Sequence, residues 1–301
     1  MKLNQIYNSD CLDFLPQIED SSVDVILTDP PFLYLKNQKL ERAFDEEEFF
    51  SQSKRVLKED GFLVFFGRGE SFYRWNNIVA SIGFTFKEEV IWNKVRTTSP
   101  VLPLSRCHET IALWTKKTGK IRRCYIPYFE KKTDYDAVIS DVNRLKSVLS
   151  NPKELDAVIS FLESGKKRYE QNNKVTKFKT SVQDTCSSSR CQNVVSMMRN
   201  GSLESSIISV VKNTYKSIHP TEKPVRLLER LISLVSDKGD IILDPFCGSG
   251  STCEAAKNIG RNFIGVEIDS EYYAEAYNRL VSLYENDYGP EQELEAAEKR
   301  L

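Results

Sequence analysis

The sequence is poor in the residues that build metal centres, membrane spans and disulfide frames. It contains only two histidines among 301 residues, and its seven cysteines show no repeated short spacing. The closest cysteines, Cys186 and Cys191, with so few histidines nearby, give little support for a zinc site, so we expect free thiols and no bound metal. No run of about 18 apolar residues occurs, which argues against a membrane span.

Features of a targeting sequence are also missing. Residues Met1 to Asn4 contain no basic segment followed by an apolar stretch, so we predict no signal peptide. An odd number of cysteines without a pattern is typical of a reducing compartment. We therefore expect a cytoplasmic protein without membrane association.

The chain as a whole is nearly neutral, but its middle part is basic. The total is −1, yet residues 115–216 hold 20 Lys and Arg against 10 Asp and Glu, leaving 22 against 33 elsewhere. A basic block beside an acidic remainder is typical of a solvated surface and also of a phosphate-binding module. This pattern keeps nucleic acid among the candidate partners.

The two regions flanking the basic block show alternating strand and helix patterns. Strands are predicted at residues 2–7, 23–28, 61–66, 84–92, 108–115, 240–243 and 262–266, and helices at 11–18, 45–58, 71–82, 224–235, 252–259 and 271–284. This alternation predicts an α/β fold with a mostly parallel sheet covered on both faces. Such sheets bind ligands beyond the carboxyl ends of their strands, so functional residues are expected there.

A loop of small residues follows the sixth predicted strand. Asp244-Pro245-Phe246-Cys247-Gly248-Ser249-Gly250-Ser251 lacks the G-x-G-x-x-G pattern, but its glycines let the backbone approach a ligand at the start of a helix. Glu267 ends the next strand about 20 residues later, a spacing at which a carboxylate accepts both hydroxyls of a ribose. The alternative for Glu267 is a surface carboxylate at a strand end.

The tetrapeptide Asp29-Pro30-Pro31-Phe32 follows the second predicted strand and is either a proline turn or a catalytic segment. The lone pair of an exocyclic base amine is delocalised into the ring, so the amine is a poor nucleophile until acceptors hold its N–H groups. The Asp29 carboxylate and the Pro30 carbonyl supply two such acceptors. Phe32 offers a flat face for a base turned out of a duplex, or else joins the core.

Together these segments resemble the amino-methyltransferases that use S-adenosylmethionine. The cofactor loop of that family commonly reads D-P-F-x-G-S-G, and its catalytic segment more often has Tyr at the position of Phe32. His219-Pro220-Thr221-Glu222-Lys223-Pro224 is similar to the family's H-P-x-x-K-P segment. Asn8-Ser9-Asp10-Cys11-Leu12 resembles its segment at the adenine ring.

The resemblance implies S-adenosylmethionine as the cofactor and a role for each matching residue. Phe246 and the backbone of the glycine loop would line the methionine part, Lys223 would bind its carboxylate, and Glu267 would hold the ribose. Asp10 and the Cys11 N–H would bind adenine, although Asp10 also suits the N-cap of the helix that follows. The implied cofactor residues are Asp10, Cys11, Asp29, His219, Thr221, Lys223, Asp244, Phe246, Gly248, Ser249, Gly250 and Glu267.

The order of the segments resembles one subgroup of this family. The catalytic segment comes first, then the basic block, then the cofactor loop, as in the circularly permuted β group with its inserted target-recognition segment. The resemblance implies a Rossmann-like seven-stranded methyltransferase sheet, circularly permuted. We divide the chain into a catalytic half at 1–116, an inserted basic target-recognition region at 117–214 and a cofactor half at 215–301.

The resemblance implies methyl transfer to adenine N6 in duplex DNA by base flipping and in-line attack. In this subgroup D-P-P-aromatic tends to accompany N6-adenine, whereas S-P-P-Y tends to accompany N4-cytosine. An N4-cytosine DNA enzyme and an RNA adenosine N6-methyltransferase stay open as alternatives. A C5-cytosine enzyme is disfavoured because the chain has no Pro-Cys dipeptide.

Basic residues in the loop after Phe32 and in the insertion are candidate DNA contacts, although each is also explained as a solvated charge. These candidates are Lys36, Lys39, Arg122, Arg123, Lys166, Lys167, Arg168, Lys174, Lys177 and Lys179. The resemblance further implies a homodimer and a prokaryotic or phage origin, with a cognate restriction endonuclease as one candidate partner.

Overall fold

The chain divides into two compact units, one made of Met1–Arg123 with Ser205–Leu301 and one made of Cys124–Glu204. The computed structural model describes residues 1–32, 42–96, 106–127, 200–211 and 222–287, and the single positions 104, 130, 193, 196 and 197. No helix within these described ranges is long and apolar enough to cross a membrane. The five cysteines in the same ranges are free thiols.

The larger unit is built on an eight-stranded sheet, and the smaller unit contributes a two-stranded one. The strands are β1 (Gln5–Asn8), β2 (Val23–Thr28), β3 (Leu57–Gly67), β4 (Thr85–Asn93), β5 (His108–Thr115), β6 (Tyr125–Ile126), β7 (Ser202–Leu203), β8 (Ile207–Ser209), β9 (Ile241–Asp244) and β10 (Asn262–Glu267). The large sheet has the order β1-β10-β9-β2-β3-β5-β4-β8, and only β5 runs antiparallel to its neighbours. In the smaller unit β6 pairs antiparallel with β7.

The helices begin and end where the local sequence favours it. They are α1 (Cys11–Phe14) with a 3-10 turn at Leu15–Gln17, α2 (Glu46–Val56), α3 (Gly69–Ser81), α4 (Val225–Val235), α5 (Ser251–Asn258) and α6 (Ser270–Asp287). The Asp45 carboxylate caps α2 by accepting from the Glu48 N–H at 3.0 Å. Acidic residues in the first turn of α2 and basic residues in its last turn suit the helix dipole.

Helices cover both faces of the large sheet. On one face α1, α2 and α3 share a core with Ile26, Leu63 and Phe65. The adjacent residues Leu27 and Val64 are also buried, and they point to the opposite face because side chains alternate along a strand. Helices α4 and α5 pack against each other and against β2, β9 and β10 on that opposite face.

The predicted α/β fold with a mostly parallel sheet is confirmed. All seven predicted strands and all six predicted helices are present, with ends shifted by a few residues. The eighth strand, β8, was not predicted, because three residues are too few to show a period. The predicted insertion at 117–214 is wider than the compact unit Cys124–Glu204, since residues 117–123 and β8 belong to the larger unit.

The strand connections diverge between β2 and β9, which are neighbours in the sheet. From β2 the chain passes through α2 to β3 on one side, and from β9 it passes through α5 to β10 on the other. Such a switch in direction leaves a crevice at the carboxyl ends of the two strands, where open α/β sheets bind ligands. The segments after β2 and after β9 therefore flank the expected binding crevice.

We predict that Gly265 tolerates no side chain, because β10 passes close to the loop after β9. A Cβ atom at Gly265 would lie 2.8 Å from Cys253 Sγ, 3.0 Å from Ile6 Cγ1 and 3.1 Å from Cys247 Sγ. Gly265→Ala should lower the free energy of unfolding by about 1–3 kcal/mol, measured by urea denaturation.

Gly239→Asn is the control for this substitution. Gly239 has a φ of +88°, and a Cβ atom there would meet no atom of a non-neighbouring residue within 4 Å. Asparagine adopts the left-handed region at a lower cost than other side chains, so the free energy of unfolding should fall by less than about 1 kcal/mol. Equal losses in the two variants would contradict the role of close approach at Gly265.

Candidate active site

Four segments lie side by side at the carboxyl edge of the sheet, because β1, β10, β9 and β2 are consecutive strands. Asp10 and Cys11 follow β1, Glu267 ends β10, the loop 244–251 follows β9, and Asp29 follows β2. The Asn8 side chain donates to the Glu267 carbonyl oxygen at 2.8 Å and so links the first two segments. The structure thus brings together segments that lie far apart in the sequence.

Glu267 shapes the loop 244–251. The Gly248 N–H donates to its Oε2 at 2.9 Å, and the Asp269 N–H donates to its Oε1 at 2.8 Å. Burial raises the pKa of Glu267 despite these bonds. Gly248 at φ +50° and Gly250 at φ +75° lie in the left-handed region, which favours glycine.

Asp244 and Phe246 anchor the same loop in the interior. Asp244 is buried, and its Oδ1 accepts from the Phe246 N–H at 3.2 Å. Burial raises the pKa of Asp244 to about 6, although hydrogen bonds oppose this shift. The Phe246 ring packs against Phe44 and Phe49, with ring centroids 5.1 and 5.3 Å away.

Arg279 of α6 ties the loop to the segment ahead of α4. Its Nη1 donates to the Ser249 carbonyl oxygen at 3.2 Å, and its Nη2 donates to Glu222 Oε1 at 2.7 Å. Its Nε donates to the Glu254 carboxylate in α5. One guanidinium therefore holds the glycine loop, the start of α5 and the predicted H-P-x-x-K-P segment together.

Asp10 occupies the N-cap of α1, as the sequence indicated. Its Oδ1 accepts from the Leu12 N–H at 2.8 Å. Burial raises the pKa of the Cys11 thiol, and the nearby Asp10 carboxylate raises it further. Cys11 is therefore a neutral thiol at the start of α1.

Lys223 contacts Asp29, a partner that the sequence did not predict. Its Nζ donates to Asp29 Oδ2 and lies 3.4 Å from Glu109 Oε2, above the Phe66 ring at 4.8 Å. The Lys223 side chain is only 8% exposed, and the carboxylates of Asp29 and Glu109 balance its charge in the interior. The structure therefore assigns Lys223 to Asp29 and Glu109, and its predicted contact with the cofactor carboxylate stays a prediction.

Of the two carboxylate oxygens of Asp29, one accepts a hydrogen bond and the other is unpaired within the described ranges. Lys223 binds Oδ2, whereas Oδ1 has no hydrogen-bond partner among the described residues. Burial raises the pKa of Asp29, attraction to Lys223 opposes this, and the negative charge of Glu109 raises the pKa further. Oδ1 is buried and unpaired in the described part of the chain, and a buried acceptor without a partner is costly, so a donor brought to this atom would satisfy it.

Phe32 and Pro30 are packed into the larger unit. Pro30 is buried and Phe32 is half-buried, with its ring centroid 5.8 Å from that of Trp75. The Ser71 hydroxyl donates to the Phe32 carbonyl oxygen at 2.7 Å. Phe32 thus joins the aromatic core on one side, and its predicted contact with a base stays a prediction.

Two of the candidate DNA contacts lie in described ranges. Arg122 donates to Asp237 Oδ2 at 2.8 Å, and its N–H donates to the Leu234 carbonyl oxygen at 2.8 Å, near the amino end of β9. That edge is opposite to Asp29, so we leave Arg122 out of the proposed DNA contacts. Arg123 is exposed at the boundary of the larger unit.

The other candidate residues lie outside the described ranges. These are His219 and Thr221 of the predicted cofactor set, and Lys36, Lys39, Lys166, Lys167, Arg168, Lys174, Lys177 and Lys179 of the predicted DNA contacts. Their assignments stay predictions.

Sequence reasoning missed four residues of the site, namely Lys94, Glu109, Phe44 and Arg279. Lys94 Nζ donates to Glu109 Oε1 at 2.5 Å, which extends the Asp29–Lys223 pair by two further charges. A charged residue beside an apolar strand was the available signal for Lys94 and Glu109. That signal is weak, because the ends of strands normally carry charge at the surface.

Comparison with known proteins identifies relatives of the chain. The family model described as DNA methylase, N6_N4_Mtase, matches residues 23–278. The type II methyltransferase M.HinfI of Haemophilus influenzae is 27% identical, covering 94% of this chain and 70% of that protein. M.BglII of Bacillus subtilis is also 27% identical, covering 92% of this chain and 69% of that protein.

Solved structures share the fold at low sequence identity. The complex of M1.HpyAVI with SAM superimposes with a TM-score of 0.54 at 21% identity, covering 91% of this chain and 98% of that one. PvuII DNA methyltransferase, described as cytosine-N4-specific, gives a TM-score of 0.55 at 14% identity, covering 93% and 91%. These matches show a common architecture, and they confirm the predicted fold class.

The family match includes the catalytic segment after β2, the loop after β9 and Glu267 at the end of β10. The resemblance inferred from the motifs is therefore confirmed. The chain belongs to the N6_N4_Mtase family of DNA methylases.

Proposed function

We propose that the protein is a site-specific DNA methyltransferase that transfers a methyl group from S-adenosylmethionine to adenine N6 in duplex DNA. One observation carries this proposal: Asp29 Oδ2 accepts from Lys223, while the buried Oδ1 has no hydrogen-bond partner among the described residues, beside the loop 244–251. A carboxylate in this state is suited to accept from an exocyclic amine. Membership of the DNA methylase family supports nucleic acid as the substrate.

The described residues fit S-adenosylmethionine. The strand order β1-β10-β9-β2 supports an arrangement with adenine beside Asp10 and Cys11, ribose beside Glu267, methionine beside Phe246 and the glycines, and the methyl group toward Asp29. The left-handed glycines let the backbone approach the ligand. When bound, the cofactor supplies an electrophilic methyl group.

The chain's own residues prepare the amine. Asp29 Oδ1 accepts one N–H of the base, and the Pro30 carbonyl accepts the other. These two bonds draw the nitrogen toward a tetrahedral geometry and free its lone pair for in-line attack. Asp29 acts here as an acceptor, and no covalent bond to the enzyme forms.

Adenine is the proposed base, and N4-cytosine is the alternative of the same chemistry. Adenine is supported by the D-P-P-aromatic resemblance of Asp29 to Phe32. A base must leave the duplex to reach Asp29, so we also propose base flipping, with Phe32 as a stacking partner. PvuII methyltransferase shows that a cytosine-N4 enzyme has this architecture, so the fold alone does not select the base.

We assign target recognition to residues 117–214, which lie in the sequence between the catalytic half and the cofactor half. The basic character of residues 115–216 supports contact with DNA phosphates there. The chain order, with Asp29 ahead of this region and the loop 244–251 after it, supports the permuted β group. A homodimer and a cognate restriction endonuclease partner belong to the same proposal.

Product analysis tests the base and the substrate. Purified full-length protein is incubated with methyl-labelled S-adenosylmethionine and, in parallel reactions, with mixed duplex DNA or with RNA, and each nucleic acid is digested to nucleosides. Label on N6-methyladenine is expected. Label on N4-methylcytosine would exclude adenine, and label on RNA alone would exclude DNA as the substrate.

Removing the Asp29 carboxylate should stop transfer. Asp29→Ala is expected to lower the single-turnover rate on the order of 10²- to 10³-fold, because one acceptor for the amine is lost. Cofactor affinity, measured by calorimetry, should change little. Lys223 keeps Glu109 as a partner in this variant, so the fold is expected to persist.

Asp20→Ala is a matched control for Asp29→Ala. Asp20 lies ahead of β2, at the opposite edge of the sheet, where its exposed carboxylate pairs with Arg55 at 2.5 Å. Its transfer rate should equal that of the unaltered protein. Retained activity in Asp29→Ala, or equal losses in both variants, would refute the role of Asp29.

The acid side of the rate profile should reflect the raised pKa of Asp29. Burial and Glu109 raise this pKa above the ordinary value of about 4, with Lys223 and Lys94 opposing. Asp29 accepts hydrogen bonds only as a carboxylate, so activity is present above its pKa and lost as pH falls through it. The single-turnover rate should therefore decline at a pH above that ordinary value.

This measurement requires saturating cofactor at every pH, because the raised pKa of Asp244, about 6, can affect cofactor binding separately. A rate that stays constant down to the ordinary aspartate pKa would contradict the prediction.

A further inference from the structure

Four charged side chains form a row at the carboxyl edge of the sheet. In order they are Asp29, Lys223, Glu109 and Lys94, so that negative and positive charges alternate. Lys223 donates to Asp29 and lies 3.4 Å from Glu109 Oε2, and Lys94 donates to Glu109 Oε1 at 2.5 Å. The side chains of Lys223, Glu109 and Lys94 are only 8%, 11% and 10% exposed.

The backbone holds the far end of this row rigidly. Glu109 lies in β5 opposite Trp92 of β4, and the Lys94 N–H donates to the Cys107 carbonyl oxygen at 2.7 Å. The Lys94 Nζ also lies 5.0 Å from the Trp92 ring centroid. Glu109 and Lys94 are therefore fixed on two paired strands.

Asp29 lacks comparable support of its own. The terminal torsion of an aspartate is broad, so its carboxylate plane needs a hydrogen bond to set it. Lys223 supplies that bond, but its four-carbon stem is flexible and its ammonium carries no fixed direction. The position of the Lys223 ammonium is set by the second carboxylate that faces it, Glu109.

We propose that Glu109 is a positioning residue for methyl transfer, with Lys94 as its anchor, and that both act on Asp29 through Lys223. This inference rests on the proposed role of Asp29 as the acceptor for the target amine. Glu109 fixes the Lys223 ammonium, which fixes Asp29 Oδ2 and so leaves Oδ1 directed at one place. Neither Glu109 nor Lys94 contacts the reacting atoms.

The charges of the row support this order. Attraction to Lys223 and Lys94 outweighs the effect of burial and lowers the pKa of Glu109 to about 2, so Glu109 stays ionised. An ionised Glu109 raises the pKa of Asp29, whereas Lys94 lowers it. Removal of the Glu109 charge should therefore lower the pKa of Asp29, and removal of the Lys94 charge should raise it.

The test measures single-turnover methyl transfer against pH, with saturating cofactor and DNA, for the full-length protein. Glu109→Gln should lower the rate on the order of 10- to 100-fold, because the neutral amide removes the ionic attraction that places the Lys223 ammonium. Its acid limb should move to lower pH. Lys94→Met should give a smaller loss, with the acid limb moved to higher pH.

Asp20→Asn is the control for a lost carboxylate away from the row, because Asp20 is exposed and pairs with Arg55 ahead of β2, and its rate and acid limb should not change. Cofactor dissociation constants should agree within about twofold among all variants, since none of these residues is assigned to the cofactor. A rate in Glu109→Gln equal to that of the unaltered protein would overturn the proposal. A lower rate with unmoved acid limbs would indicate a purely structural role and would also overturn it.

If Glu109→Gln does not fold, Lys94→Met tests the proposal in its place, because Glu109 still faces Lys223 in that variant. A limb moved to higher pH supports the proposal, and an unmoved limb refutes it. If the unaltered protein transfers no methyl group to any DNA, the proposed function fails and this inference fails with it. Transfer by the unaltered protein with unaffected variants would reject the positioning role alone.

Discussion

The pairing of β2 with β9 is the constraint on which the site depends. Val25 aligns with Ile242 and Ile26 with Leu243, and the Ile241 N–H donates to Asp24 Oδ2 at 2.9 Å across 217 residues of sequence. This register places Asp29 beside the loop that begins at Asp244. Because the connections from the two strands diverge, they leave a crevice at the carboxyl ends of β2 and β9.

Charge burial at this edge sets a second requirement. Ions taken out of water each cost several kcal/mol, and attraction recovers that cost only when partners and geometry are good. The row from Asp29 to Lys94 meets this condition by alternating sign, and the Phe66 and Trp92 rings lie near its two ammonium groups. Well-packed apolar residues at these positions would stabilise the fold equally well. Stability therefore does not explain the row, and the proposed orientation of Asp29 does.

A shared architecture does not by itself identify a reaction. Structures with 14% to 21% identity share more than nine-tenths of the chain at TM-scores near one half. A fold supports many functions, so the function must be argued from the site. Here the site consists of Asp29 Oδ1, unpaired among the residues that the structure describes, and the glycine loop bonded to Glu267. Arg279 joins this loop to the segment ahead of α4.

The sequence by itself determined the alternation of strands and helices, the N-cap at Asp10, the position of the Asp29 to Phe32 segment after β2 and the glycine loop, because these depend on local periodicity and short-range chemistry. It also placed Glu267 beside the loop through spacing alone. The tertiary structure decided that Lys223 binds Asp29, that Glu109 and Lys94 continue the row, and that Arg122 lies at the opposite edge. Those contacts join strands distant in sequence, and ion pairing between distant residues leaves no period or motif to read.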